Sequence, residues 1–164
     1  MDRIFHPIAP LYDERSKILV LGSFPSVKSR EQKFFYGHPQ NRFWPLWALL
    51  FSEDCPETVE EKRDFALHHH IAMWDVLASC TISGSADSTI KNVTANDIRP
   101  ILETADIKNI FVNGKTAEKY YIKYLLPVTG REAVCLPSTS PANAAYSLER
   151  LAKEWKMAYQ ALTL

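Results

Sequence analysis

The sequence predicts an α/β fold, a single three-layer α/β/α domain built on a mainly parallel four-stranded sheet. Three observations predict it. Four short aliphatic and β-branched runs are spaced along the chain, and apolar residues at helical spacing fill the intervals between them. Strands and helices that alternate in this way imply parallel strands joined by crossover helices, so both faces of the sheet are covered. The length, 164 residues, is that of one domain, which buries roughly 70% of the surface its unfolded chain exposes.

The first parallel strand is read at Lys17 to Gly22 (KILVLG), whose continuous aliphatic character suits burial on both faces. A helix follows from near Asn41. Phe43, Trp44, Trp47, Leu50 and Phe51 fall at i, i+1, i+4, i+7 and i+8, and Pro45 is compatible only with a first turn. Thr58 to His70 is the next helical stretch, and Ile71 to Leu77 (IAMWDVL) is the second strand. Asn96 to Ala105 reads as a helix, Asn109 to Asn113 (NIFVN) as a strand, Lys115 to Leu126 as a helix and Ala133 to Pro137 (AVCLP) as the fourth strand. In the last helix Ala144, Leu148, Leu151, Trp155, Ala158, Tyr159 and Leu162 form an apolar stripe. Glu149 and Lys153 are expected to pair at i,i+4 on its wet side.

Composition narrows the function. The chain is 46% hydrophobic and 23% charged with a formal net charge of zero, so no whole-chain field favours nucleic acid. Charge is instead local. Acidic residues crowd Glu53 to Glu61, Lys28, Arg30, Lys33 and Arg42 lie between the first strand and the first long helix, and Lys115, Lys119 and Lys123 recur at helical spacing. The three cysteines, Cys55, Cys80 and Cys135, are odd in number and far apart, which argues against a disulfide scaffold or a metal cluster and suits a cytoplasmic protein. Residues 1–10 lack the pattern of a signal peptide, and no apolar run approaches the roughly 20 residues of a membrane span.

In parallel α/β sheets ligands bind beyond the carboxyl ends of the strands, so chemistry is expected after Leu21, Met73, Phe111 and Leu136. Two of these loops stand out. The first holds Gly22-Ser-Phe-Pro-Ser26 and continues to Tyr36-Gly-His-Pro-Gln-Asn-Arg-Phe-Trp44; the second is Leu136-Pro-Ser-Thr-Ser-Pro-Ala-Asn143. In the second, Ser140 is placed to cap the last helix and Pro141 suits its first turn, a helix start that could hold a phosphate or serve only as a capped entry.

Gly22 to Ser26 followed by His38 to Trp44 resembles the first motif of the mismatch-specific uracil and thymine DNA glycosylases, and Leu136 to Ala142 resembles their second. Trp74-Asp-Val-Leu77, with Gly84 to Ile90 and Asn96-Asp97, is similar to the hypoxanthine (deoxyinosine) DNA glycosylase branch of the uracil-DNA glycosylase superfamily. The resemblance extends from about Ile18 to the last helix. It implies that residues 1–164 form one glycosylase domain that removes a deaminated base, foremost hypoxanthine and also xanthine or uracil, from DNA in base-excision repair. It implies a monomer that needs no cofactor or metal.

One position departs from the pattern. Where the uracil and thymine enzymes carry a water-orienting Asn, this chain has Phe24, which cannot position water. The resemblance to the hypoxanthine branch implies that Asn41 takes that role, with Asp75 as a second catalytic group that accepts from the base edge or holds water. It places Ser23, Phe24, Tyr36, His38 and Asp75 around the base, and Ser138, Thr139, Ser140, Asn143, Asn113 and Lys115 along the DNA. The chemistry is consistent with these side chains. A base inside a duplex must be extruded, at a few kcal/mol of lost stacking, into a pocket that reads its edge. Phe24 could stack on it, and an Asn amide accelerates the reaction by orientation rather than by acting as a base.

Plainer readings stand beside these. Asn41 could cap the helix that follows, Phe24 could be core packing, Asp75 could make a strand-end hydrogen bond, and Asp87 and Ser88 could be turn residues. A lesion-binding protein without chemistry is the main rival, and a small-molecule hydrolase is another. Asn113-Gly-Lys-Thr116 lacks the upstream glycine of a nucleotide-binding loop. His68-His-His70 cannot easily converge on one ion. Ser23 lacks a nucleophile elbow, and no lysine stands where Schiff-base chemistry would need one.

Overall fold

The computed structural model describes residues 2–163. Its centre is a parallel sheet in the order β3-β2-β6-β7, formed by Ile71–Asp75 (β3), Ile18–Gly22 (β2), Asn109–Asn113 (β6) and Val134–Leu136 (β7). These are the four strands that the apolar runs predict. Alternate residues of each strand enter different cores. Ile18, Val20, Ile71, Met73 and Phe111 face one layer, packed on α2 (Phe43–Phe51), α3 (Val59–His68) and α7 (Leu148–Thr163). Leu19, Leu21, Ala72, Ile110 and Val112 face the other, against α4 (Arg99–Thr104), α5 (Lys115–Tyr120) and the π turn Tyr121–Leu125 that continues into α6 (Leu126–Thr129). The three-layer α/β/α expectation holds.

A second sheet lies outside the sequence reading. Arg3–Phe5 (β1), Leu77–Thr81 (β4) and Lys91–Ala95 (β5) form an antiparallel sheet in the order β1-β4-β5. The run Ile71 to Leu77 is therefore not one strand. It breaks at Val76, whose N–H donates to Gly22 O at 2.8 Å while Leu77 N–H donates to Ser23 O at 3.1 Å. Those two bonds hold the end of β2 against the bend and send the chain into a different sheet.

Helix boundaries follow local chemistry. Thr58 accepts from Glu61 N–H, and the Glu61 carboxylate returns to Thr58 N–H, a reciprocal capping box that starts α3. Pro45 is the third residue of α2, where its missing N–H has no helical partner to lose. Two expectations fail at α7. Its start is at Leu148, with Ser147 Oγ accepting from Arg150 N–H at 3.1 Å, so Ser140 and Pro141 do not begin this helix. Ser140 Oγ instead accepts from Ala142 N–H inside a turn. Glu149 and Lys153 are both exposed, and among the described residues no ion pair joins them. Trp155, wholly buried on α7, donates from Nε1 to Pro137 O at 2.9 Å and so anchors the loop after β7.

Candidate active site

The carboxyl ends of β2, β3, β6 and β7 open into a cavity of about 420 Å³. Its wall joins the two loops singled out in the sequence: Ser23, Phe24, Tyr36, His38 and Asn41 from the first, Ser138, Thr139 and Ser140 from the second, with Asp75 and Asn113 from the strand ends. Asn143 and Lys115 are not on that wall. Asn143 braces the second loop from within, its Nδ2 donating to Ser138 O at 3.0 Å. Lys115 is exposed at the first residue of α5.

Asn41 is held by a chain of hydrogen bonds that fixes which end of its amide is free. Thr139 N–H donates to Asn113 Oδ1, Asn113 Nδ2 donates to Thr139 Oγ1, and the Thr139 hydroxyl donates to Asn41 Oδ1 at 2.9 Å. Phe43 N–H also donates to Asn41 Oδ1, at 2.9 Å. Asn41 is not the N-cap of α2, a position held by Arg42, but its oxygen does take the N–H of the first helical residue. Both lone pairs of that oxygen are used, and Nδ2, a two-hydrogen donor, makes no hydrogen bond among the described residues.

Arg42 ties the same loops together and was not singled out for this by the sequence. Its backbone N–H donates to Thr139 O at 3.1 Å. Its guanidinium donates to the carbonyls of Ser140, at 2.8 Å, of Asn143, at 3.1 Å, and of Tyr146. Three carbonyls on one planar fork hold the segment from Ser138 to Tyr146 in its irregular path, which suits arginine and would not suit lysine.

Asp75 ends β3 directly beside Gly22, its partner in the strand register. The residue is 4% exposed. Its Oδ2 lies 2.7 Å from His6 Nε2. Its Oδ1 lies over Gly22 so closely that a Cβ built there would be 2.4 Å away, which explains the glycine. The same absent Cβ would be 3.3 Å from the Tyr36 hydroxyl, so the carboxylate and the phenol flank one small gap at the end of β2. Tyr36 adopts a left-handed backbone with φ of 53° and stacks on Phe43 with ring centroids 4.1 Å apart. Burial, reinforced by the Asp75 charge, holds its phenol far above the usual tyrosine range, so it remains a hydroxyl.

Phe24 is buried yet forms part of the cavity wall, with the His6 ring edge-on at 5.9 Å and the Arg30 guanidinium 5.8 Å from its centroid. Phe24 therefore packs in the core and also lines the cavity. Ser23 Oγ donates to Asp87 Oδ1 at 3.1 Å. Asp87 is open to solvent as a residue, but its carboxyl end is recessed against the wall. Desolvation raises its pKa, with the Asp75 charge acting in the same direction and the Ser23 hydroxyl against it. The sequence reading of Asp87 as a turn residue fits the 3-10 turn Asp87–Thr89, but missed that the turn faces the cavity. His38 takes Gln40 N–H at Nδ1 and shapes the turn before Asn41.

His69 is occupied elsewhere, where it stacks on Phe51 at 3.7 Å and contacts Glu53. Among the described residues no group of three His, Cys, Asp or Glu side chains converges as a metal set, and no helix is long and apolar enough to cross a membrane.

Comparison with known proteins identifies the family. The model of the uracil DNA glycosylase superfamily matches residues 9–163. A hypoxanthine DNA glycosylase of Methanosarcina acetivorans is 35% identical over 150 residues, covering 90% of this chain and 93% of the relative. One of Methanosarcina barkeri is 33% identical, covering 92% and 95%. A solution NMR structure of a candidate uracil DNA glycosylase from Methanosarcina acetivorans has a TM-score of 0.80 at 33% identity, covering 96% of this chain and 97% of that one. The chain belongs to the uracil DNA glycosylase superfamily and is a DNA glycosylase. These relatives carry the names of enzymes, so the non-catalytic rival is not favoured.

Proposed function

We propose that this glycosylase hydrolyses the bond between hypoxanthine and deoxyribose in deoxyinosine, with xanthine and uracil as further candidate bases. The relatives named for hypoxanthine support the substrate. The observation that carries the mechanism is the fixed amide of Asn41, whose free Nδ2 stands on the cavity wall shared by both loops.

In this reading the extruded purine stacks on Phe24 and presents its N1–H to Asp75. The bond from N9 to C1′ breaks with its electron pair moving to the base, which leaves a cationic sugar. A water held by the Asn41 amide adds its oxygen to C1′, loses a proton to solvent, and leaves an abasic site, while the departing base takes up a proton. Asn41 gains rate by orientation, since an amide has no useful basicity. The cationic sugar forms near the Asp75 carboxylate, which favours its charge. Ser138, Thr139 and Ser140 line the strand side of the cavity, while Asn143 and Lys115 support DNA contact from outside it. No lysine takes part in bond cleavage, so the product is an intact strand with an abasic site.

Duplexes carrying deoxyinosine, deoxyxanthosine or deoxyuridine, incubated with the protein and treated with alkali, test this. Breaks at deoxyinosine are expected. Tight binding with no alkali-labile product from any duplex would restore the lesion-binding rival.

A further inference from the structure

Behind Asp75, away from the cavity, lies a side chain that no motif in the sequence singles out. The His6 side chain is 3% exposed, and its Nε2 lies 2.7 Å from Asp75 Oδ2. The other ring nitrogen settles the tautomer. Ile8 N–H donates to His6 Nδ1 at 3.1 Å, so Nδ1 is an acceptor and the ring proton sits on Nε2. That proton points at the carboxylate. Phe24 and Trp74 meet the ring edge-on, with centroids 5.9 and 6.1 Å away, so it has little room to flip. The antiparallel sheet delivers the residue: β1 pairs with β4, and His6 N–H donates to Ala78 O at 2.8 Å.

We infer that His6 is a specificity-determining positioning residue, which by donating to Oδ2 fixes the Asp75 carboxylate so that its Oδ1 is presented as an acceptor to bases carrying a ring N–H. The inference rests on the proposed contact between Asp75 and the base edge. Its chemistry separates hypoxanthine from adenine. Hypoxanthine carries a hydrogen on N1, which Oδ1 can accept, whereas adenine, from which it arises by deamination, presents a bare N1 lone pair. A carboxylate oxygen, which can only accept, has nothing to offer that lone pair. An unpartnered Asp75 would be free to rotate about its side-chain torsions. With Oδ2 fixed to His6 and Oδ1 resting over Gly22, it cannot.

The test compares His6→Phe, which keeps a ring but removes the donor, with His6→Gln, which restores a donor on a side chain of similar reach. Single-turnover excision is measured on duplexes with deoxyinosine and with N1-methyldeoxyinosine, and binding is measured on a duplex with a tetrahydrofuran abasic analogue. His6→Phe is expected to excise deoxyinosine about tenfold or more slowly while binding the abasic duplex nearly as well, a loss of transition-state contact rather than of DNA affinity. His6→Gln should recover most of the rate. The wild-type preference for deoxyinosine over its N1-methyl form should shrink in His6→Phe, an effect that a merely structural role would not produce. Nitrogen NMR of the wild-type histidine rings should show Nδ1 of His6 unprotonated. The inference is overturned by a protonated Nδ1, by a His6→Phe rate equal to wild type, or by His6→Phe and His6→Gln losing excision and abasic binding alike. Wild-type protein that releases no base from deoxyinosine duplexes overturns the reading beneath the inference and the inference with it.

Discussion

The Thr139 hydroxyl donates to Asn41 Oδ1 at 2.9 Å across 98 residues of sequence, and so joins the two loops at the residue proposed to hold the attacking water. Thr139 is wholly buried, and Asn113 Nδ2, a donor, already occupies its hydroxyl oxygen, so the hydroxyl proton is directed at Asn41. Thr139→Val keeps the shape but strands two polar partners. A loss of about 1–3 kcal/mol in urea unfolding is expected. Excision should fall by roughly tenfold as the amide loses its orientation. Thr139→Ser, which retains the hydroxyl, should stay close to wild type in both measurements.

Phe24 separates base recognition from DNA recognition. If its ring stacks on the extruded base, Phe24→Ala should remove about 1–3 kcal/mol of binding, roughly 5- to 150-fold, from a deoxyinosine duplex. Fluorescence titration of an abasic duplex, which offers no base to stack, should show little change.

Gly22→Ala places a methyl group 2.4 Å from Asp75 Oδ1, closer than real Cβ contacts allow. The backbone there is β-strand, so the conflict is with the carboxylate rather than with backbone conformation. Asp75 must move, and it can do so only by loosening its contact with His6. Overpacking of this kind destabilises by about 1–3 kcal/mol, which thermal melting will register. Displacing the carboxylate should reduce excision by about 10²-fold even where the protein remains folded.

Asp87 gives a pH signature. Its folded-state pKa is raised above the ordinary value of 3.8, chiefly by desolvation, so the unfolded chain releases this proton first as pH rises. The group therefore costs stability above that range and costs nothing well below 3.8, where both states are protonated. Asp87→Asn, which still accepts from Ser23, should raise the Tm at neutral pH. The gain should shrink as pH falls through the acid range and vanish below the unfolded pKa. A gain that grows toward acid would have the wrong sign.

The parallel sheet was legible because each strand announces itself locally, as in KILVLG and NIFVN, where burial on both faces requires a continuous apolar run. Asn41 and Thr139 were legible through family resemblance, each within a short motif. What escaped depends on distance. The bend at Val76 is imposed by carbonyls of Gly22 and Ser23, which no local pattern in residues 71–77 reveals. His6 reaches Asp75 only because β1 pairs with a strand more than seventy residues later, and a three-residue edge strand has too little periodicity to be read. Ser140-Pro141 carries the chemistry of a helix start, but the Arg42 guanidinium holds the following carbonyls in an irregular path and the helix begins only after Ser147. Tertiary hydrogen bonds there override a local cap signal.

The most direct test of the mechanism is the single-turnover rate of Asn41→Ala on a deoxyinosine duplex, read as alkali-labile breaks. The substitution also removes the acceptor for Phe43 N–H, at a cost of about 1 kcal/mol, so the assay belongs well below the variant's own Tm. A fall of about 10²- to 10³-fold is expected, with binding to the uncleaved duplex nearly unchanged. Excision by Asn41→Ala at the wild-type rate would contradict the assignment of the water to this amide.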